Sequence, residues 1–407
     1  MKLYHERCAG LDVHSNLVVA CARIAGPGGE ATYETRSFRA STKALLALSD
    51  WLSELGMTHV VMESTGVYWK PVWHVLEGQF ELVLANAMHV RNMPGRKSDV
   101  NDATWLAELL AHGLIRGSFV PPVAIQELRD LTRTRKQLTR EAAQHTQRIQ
   151  KVLEDANLKL PSVFSDIMGT SGRAVLQAIA GGEQDPERLA DLTLGRLKAS
   201  RCDIVEALRG RITAHHRFLI KLHLQQIKAT EAAIDEVENR LGEVMAPFRA
   251  AEELLSTIPG VSETVARVII AEIGDDMGRF PTAGHLLSWA GLSPGLNESA
   301  GKKLSTRTRR GGWLKTTLVQ AAWCATRKKD CYLRSQFARI KSRRGPKKAV
   351  LAVAASILTA AYHMLKTGAE YHDLGPAYLD TRDKQRVTNR LVNRLRSMGF
   401  SVELKAA

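Results

Sequence analysis

Four acidic residues and one serine carry the chemical interest of this sequence. Asp12 closes the apolar stretch C-A-G-L-D-V, Glu63 closes V-V-M-E, and Asp99 and Asp102 lie in K-S-D-V-N-D-A-T-W-L-A-E-L-L. On a helix a spacing of three puts the last two on one face. Acids gathered at the ends of elements repel one another unless cations lie between them. Mg2+ suits such a set, because it prefers carboxylate oxygens and also accepts phosphate oxygens. Two such ions can clamp the attacking and leaving oxygens of a phosphodiester. Taken singly, each acid also has a structural role open to it. Asp12 could open a turn, Asp99 could cap a helix, Asp102 could be a solvated first-turn acid, and Glu63 could cap a loop. Ser299 lies in S-P-G-L-N-E-S-A-G-K-K, just ahead of a basic run. Its hydroxyl either serves the turn or attacks something the lysines hold, and as a nucleophile it needs a base or a metal to activate it. His14 and His89 read as turn or surface histidines, and Tyr68 and Trp69 as core aromatics.

The charge around Ser299 is one-sided. The 407-residue chain has 57 Lys and Arg against 42 Asp and Glu, a formal net charge of +15. Between Gly301 and Val350 the only acid among sixteen basic residues is Asp330, so that window holds the whole excess. A solvated helix face mixes signs, whereas an unrelieved basic stretch suits a polyanion such as DNA or RNA. Lys302, Lys303, Arg307, Arg309 and Arg310 are the phosphate contacts expected nearest the serine.

Other classes are disfavoured. The five cysteines are scattered and include no C-x-x-C pair, which speaks against a zinc site or a disulfide framework and for a reduced cytoplasmic setting. The start M-K-L-Y-H-E-R has no apolar signal core, and the alanine-rich stretch near 349–365 reads as a buried helix, so no membrane partner is expected. Neither G-x-x-x-x-G-K-[ST] nor a convincing G-x-G-x-x-G occurs, so no nucleotide cofactor is implied.

The elements that must position these residues fall into an α/β part followed by an all-α part. Three hairpin-linked strands (C-A-G-L-D-V, N-L-V-V-A-C-A-R-I, A-T-Y-E-T-R-S-F) precede a helix at Thr42–Leu55 and the strand T-H-V-V-M. A short helix, the strand F-E-L-V-L-A and a helix from about Asp99 complete a mixed sheet over residues 1–122. Residues 123–250 read as two long heptad-patterned helices around an irregular insert at about 161–204. The helices could pair as an antiparallel hairpin or with another protomer. Residues 251–370 are helical and open with I-P-G-V-S, a turn like that of a helix-hairpin-helix, whose backbone N–H groups grip a phosphate. Ser262 stands where that motif usually has a second glycine. Residues 371–407 form a mixed-charge helical tail.

Together these residues resemble a known family. Asp12 in G-L-D-V-H, Glu63 in E-S-T-G-V-Y and the pair in K-S-D-V-N-D-A resemble the DEDD motif of the transposases of the IS110 insertion sequences. P-G-L-N-E-S-A-G-K-K, I-P-G-V-S and E-Y-H-D-L-G-P-A-Y-L-D resemble the C-terminal half of the same family. The resemblance implies an N-terminal RuvC-type domain of the ribonuclease-H fold, a coiled-coil connection, and a helical transposase domain with a helix-hairpin-helix-like element. It implies that Asp12, Glu63, Asp99 and Asp102 bind Mg2+ and that Ser299 is the nucleophile. Its members are recombinases guided by a structured bridge RNA that pairs with donor and target DNA, and they act as dimers or tetramers with composite sites. Two rivals stay open. One is a metal-dependent nuclease or hydrolytic transposase using only the carboxylates; the other is a non-catalytic nucleic-acid-binding protein.

Overall fold

The computed structural model describes residues 3–26, 30–64, 66–87, 90, 102–115, 117–195, 198–295, 298–299, 301–303, 308, 312–382 and 384–404, with only the backbone at 299, 303, 380, 386 and 387. It comprises two compact units, Met1–Val120 and Pro121–Ala407.

The first unit is the mixed α/β sheet expected from the sequence. Its strands are β1 (Arg7–Val13), β2 (Leu17–Ala25), β3 (Ala31–Arg39), β4 (His59–Glu63) and β5 (Glu81–Ala85), in the order β3-β2-β1-β4-β5. β2 runs antiparallel to both its neighbours, and the β1–β4 and β4–β5 pairs are parallel. Parallel strands covered on both faces read as near-continuous apolar runs, as β1 and β4 do. On one face Leu11, Val13, Val60 and Met62 pack beneath α1 (Thr42–Glu54) and α2 (Trp69–Leu76). α1 contributes Leu45, Leu48, Trp51 and Leu52, the three-and-four spacing of an amphipathic helix. On the other face Cys8, Val61 and Ala85 pack with Leu106, Leu109 and Leu110 of α3 (Asp102–Ala111). The outer strand β3 is largely exposed and polar, which suits a sheet edge.

The second unit begins with α4 (Val123–Asp155), which pairs with α9 (Ala214–Val244). Arg135 meets Glu238, His145 meets His223 at 3.1 Å, and Asp155 meets His216 at 2.8 Å, so the pair is antiparallel and intramolecular. The stretch expected to be irregular instead holds four short helices. These are α5 (Leu160–Val163), α6 (Thr170–Gly181), α7 (Pro186–Asp191) and α8 (Arg201–Ala207). They enclose Leu160, Val175, Leu176, Ile179 and Leu189 with Ile149 and Leu153 of α4 and Ile220 of α9, forming a core at the far end of the pair. Side-chain caps at Asp185 and Ser200 start two of these helices, which are too short for a helical period to show in the sequence.

At the near end, α10 (Arg249–Ser256), α11 (Glu263–Ile273), α12 (Ala283–Trp289), α13 (Trp313–Ala325), α14 (Tyr332–Arg344) and α15 (Pro346–Thr367) surround a third core. α15 is long and apolar enough to cross a membrane by length and composition. Here it fills the core with Val353, Ala354, Ile357, Leu358 and Ala361, as the sequence suggested. Buried Glu272 of α11 receives both arms of the Arg133 guanidinium at 2.9 Å, and Arg129 donates to the carbonyls of Ala271 and Glu272, which fastens α4 to this core. The chain ends with α16 (Tyr378–Arg382) and α17 (Lys384–Ser397).

Candidate active site

Sheet register brings two of the four acids side by side. The β1–β4 ladder runs from Cys8 opposite His59 to Leu11 opposite Met62, so Asp12 and Glu63 are the next residues along adjacent parallel strands. Such strands lie about 4.8 Å apart. Side chains alternate along a strand, so Asp12 shares the face of Cys8 and Gly10, and Glu63 that of Val61. That is the face covered by α3.

Gly10 lets α3 lie directly on β1. A Cβ built there would fall 2.1 Å from the Ala103 carbonyl oxygen and 2.6 Å from the Ala107 nitrogen, distances no side chain tolerates. The first turn of α3 therefore rests on the strand two residues before Asp12, and Asp102 is the first residue of that helix. At the far end of α3, buried Arg23 donates to Glu108 at 3.1 Å, and Tyr33 and His112 also reach Glu108, which holds the helix against β2 and β3. Asp12, Glu63 and Asp102 thus belong to one face and one end of the sheet. Asp99 and His89 lie outside the described residues. Among the described residues no three His, Cys, Asp or Glu side chains are close enough to hold an ion. As a donor set of hard carboxylate oxygens, the acids match what Mg2+ accepts.

One reading of nearby residues changes. His14 lies exposed in the turn between β1 and β2, as expected, and its Nε2 is 3.1 Å from Asp12 Oδ2. Tyr68, expected in the core, is 46% exposed, whereas Trp69 does pack against the core.

Ser299 lies in neither a helix cap nor an open loop. It belongs to β6 (Glu298–Ser299), which pairs antiparallel with β7 (Lys302–Lys303), Ser299 opposite Lys302 and Glu298 opposite Lys303. Gly301, at φ +73°, allows the tight reversal between them. Further along the same excursion Pro294 bridges Thr308. At its base, buried Lys315 of α13 donates to the Gly291 carbonyl at 2.9 Å and to Thr308 Oγ1 at 2.8 Å, tying the two legs together. Burial holds the Lys315 ammonium below the ordinary lysine range. Arg307, Arg309 and Arg310 lie outside the described residues, and Lys302 is exposed.

The expected basic surface is clearest at the corner between α14 and α15. There Lys341, Arg343, Arg344, Lys347 and Lys348 are all exposed around Gly345. The I-P-G-V-S turn is less open than its resemblance implied. A Cβ on Gly260 would meet the Ala321 carbonyl of α13 at 2.4 Å, so this face of the turn is packed on a helix. Ser262 caps α11 through its own side chain, engaging the Val265 N–H.

Two stretches of the chain match models of known protein families. A family model described as a transposase, the DEDD type of the IS110 group, matches residues 9–158, and one described as the IS116/IS110/IS902 transposase family matches residues 252–338. The first match contains all four acids and the second contains Ser299. Both models are of transposases, and the chain belongs to the IS110 family. Two relatives come from Streptomyces coelicolor. An uncharacterised 43.6 kDa protein of the insertion element IS110 is 28% identical over 177 residues, 43% of this chain and 39% of its own length. The protein assigned as transposase to the IS117 mini-circle is 26% identical over 233 residues, 51% of this chain and 55% of its own length.

Proposed function

We propose that this chain is a DNA recombinase of an insertion sequence, which cuts and rejoins DNA through a covalent bond to Ser299. The observation that carries this reading is the placement of Asp12, Glu63 and the first residue of α3 on one face and at one end of the sheet. A RuvC-type reading of that sheet is supported by its strand order, with β2 alone reversed.

In this reading Asp12, Glu63, Asp99 and Asp102 hold Mg2+. When bound, the ion would neutralise charge on the scissile phosphate and favour deprotonation of the attacking hydroxyl. Attack by Ser299 Oγ forms a serine–phosphate ester as the DNA O–P bond breaks. The serine proton passes to an acceptor and the departing DNA oxygen takes one up. The ester keeps the energy of the broken bond, so attack by a second DNA end reverses the step and releases the serine. Lys302, opposite Ser299, with Lys303, Arg307, Arg309 and Arg310 holds the phosphate backbone and offsets transition-state charge. A bridge RNA selects donor and target DNA, and carboxylates of one protomer act with the serine of another in a dimer or tetramer.

The test is recombination of DNA carrying the element junction by the purified protein, with its candidate RNA and Mg2+. Joined products should require both RNA and Mg2+ and vanish with Asp12→Asn. Binding of DNA without any processing by the wild-type protein would sink the enzyme reading. Hydrolysed ends that are never joined would favour the carboxylate-only nuclease.

A further inference from the structure

A cavity of about 430 Å³ lies where α4 and α9 meet α11 and α13. Four basic side chains line it: Arg135, Lys136, Arg140 and Arg267. Two of them are neutralised. Glu238 pairs with Arg135 and, at 3.3 Å, with Arg267, which also meets Glu252 at 2.5 Å. Lys136 and Arg140 have no carboxylate partner within ion-pair distance among the described residues. Lys136 Nζ instead donates to Thr316 Oγ1 at 3.0 Å and Thr317 Oγ1 at 3.2 Å. Arg140 lies over the Trp313 ring, 5.2 Å from its centre, and Lys136 approaches the same ring at 5.5 Å.

The cavity therefore carries two positive charges without an ion-pair partner among the described residues, beside two hydroxyls that accept from Lys136 and donate to the Trp313 carbonyl. Burial, and next the charge of Arg140, hold the Lys136 ammonium below the ordinary lysine range, against the opposing charge of Glu272. Lysine and arginine side chains without an ion-pair partner suit phosphate oxygens. The first turn of α13 is shared between this cavity and the serine region. Lys315 clamps the legs of the Ser299 excursion, while the next two residues, Thr316 and Thr317, receive Lys136.

We propose that this cavity binds a phosphodiester of a nucleic-acid backbone through Lys136 and Arg140. The site lies outside the basic window at residues 301–350 except for its α13 threonines, and it places a backbone contact next to the turn that anchors the serine ribbon. It rests on the recombinase reading only for the presence of a nucleic acid there.

The test compares the full-length protein with Arg140→Gln, whose side chain is exposed, and with Lys136→Gln/Arg140→Gln. Two probes are titrated over a range of salt, a duplex DNA and a structured RNA hairpin, and the melting temperature is followed with inorganic phosphate against chloride at equal ionic strength. In at least one nucleic-acid arm the slope of log affinity against log salt should become shallower by about 1 for the single variant and about 2 for the double. The arm that responds identifies the source of the phosphodiester. Phosphate should raise the wild-type melting temperature and do so less for the double variant. Wild-type salt slopes in both arms, or equal phosphate stabilisation of both proteins, would overturn the site. Repeating the titrations on Asp12→Asn protein separates this outcome from the recombinase reading, because binding at the cavity does not require cleavage.

Discussion

The two candidate reacting regions are held by different physics. The carboxylates sit at the ends of adjacent parallel strands and on a helix pressed against one of them, so their placement follows from hydrogen-bonded register and close packing. Ser299 sits in a ribbon of two-residue strands whose legs are joined by a buried lysine and one bridging pair. A site that must hold like charges together benefits from a stiff frame. A nucleophile that must form and later release a bond to a large substrate can sit on a small ribbon, provided its base is fixed.

Gly10→Val is the hardest blow to this contrast. A side chain there strikes backbone atoms of Ala103 and Ala107, so the first unit should lose about 3 kcal/mol of stability in denaturant unfolding, with Mg2+-dependent cleavage abolished. Unchanged unfolding would mean that α3 does not rest on β1.

Lys315→Met should act on the other region. It strips the Gly291 carbonyl and Thr308 hydroxyl of their buried donor, for a cost of about 2 kcal/mol, while DNA cleavage should fall roughly tenfold or more because the ribbon is no longer anchored. Cleavage at the wild-type rate by a folded variant would show that the clamp does not position the serine.

Gly301→Val probes the ribbon itself. The position has open space around it but φ +73°, so the penalty is backbone strain of about 1 to 2 kcal/mol rather than a clash. Rejoining should suffer more than DNA binding; equal losses in both would point to general misfolding of the region.

The smallest effect belongs to neither region. In the α4–α9 pair, burial, then His145 and Arg148, hold the His223 imidazole below its ordinary value of 6.5. The folded state therefore resists a proton that the unfolded chain accepts. The stability this contributes is present above about pH 6.5 and is lost as pH falls below it. Thermal melting between pH 7.5 and 5.5 should show this loss, and His223→Gln should flatten it. The same slope in the variant would assign the effect to another group.

How much of this was legible in the sequence depends on how local each signal is. The strands and long helices showed through apolar runs and heptad spacing, and the order of the acids and the serine was readable directly. The helices at residues 160–207 were hidden because none is longer than the twelve residues of α6, so their burial depends on each other rather than on a period. Gly10, Glu108, Lys315, Lys136 and Arg140 act only across the fold. The need for Gly10 shows only in its contact with Ala103 and Ala107 of α3. Lys315 sat unmarked within the basic window, although its place in the first turn of an apolar helix set it apart from solvated lysines. His14 followed Asp12 by two residues in plain view, but only the turn between β1 and β2 brings its ring back to the carboxylate.

The most direct test of the central claim is covalent trapping. Protein, candidate RNA, Mg2+ and end-labelled junction DNA are incubated and separated on a denaturing gel beside Ser299→Ala and Asp102→Asn. The account expects a protein-linked DNA band from the wild-type chain that is lost in both variants. Cleaved DNA without attached protein, persisting in Ser299→Ala, would contradict the serine intermediate and leave the carboxylates to act alone.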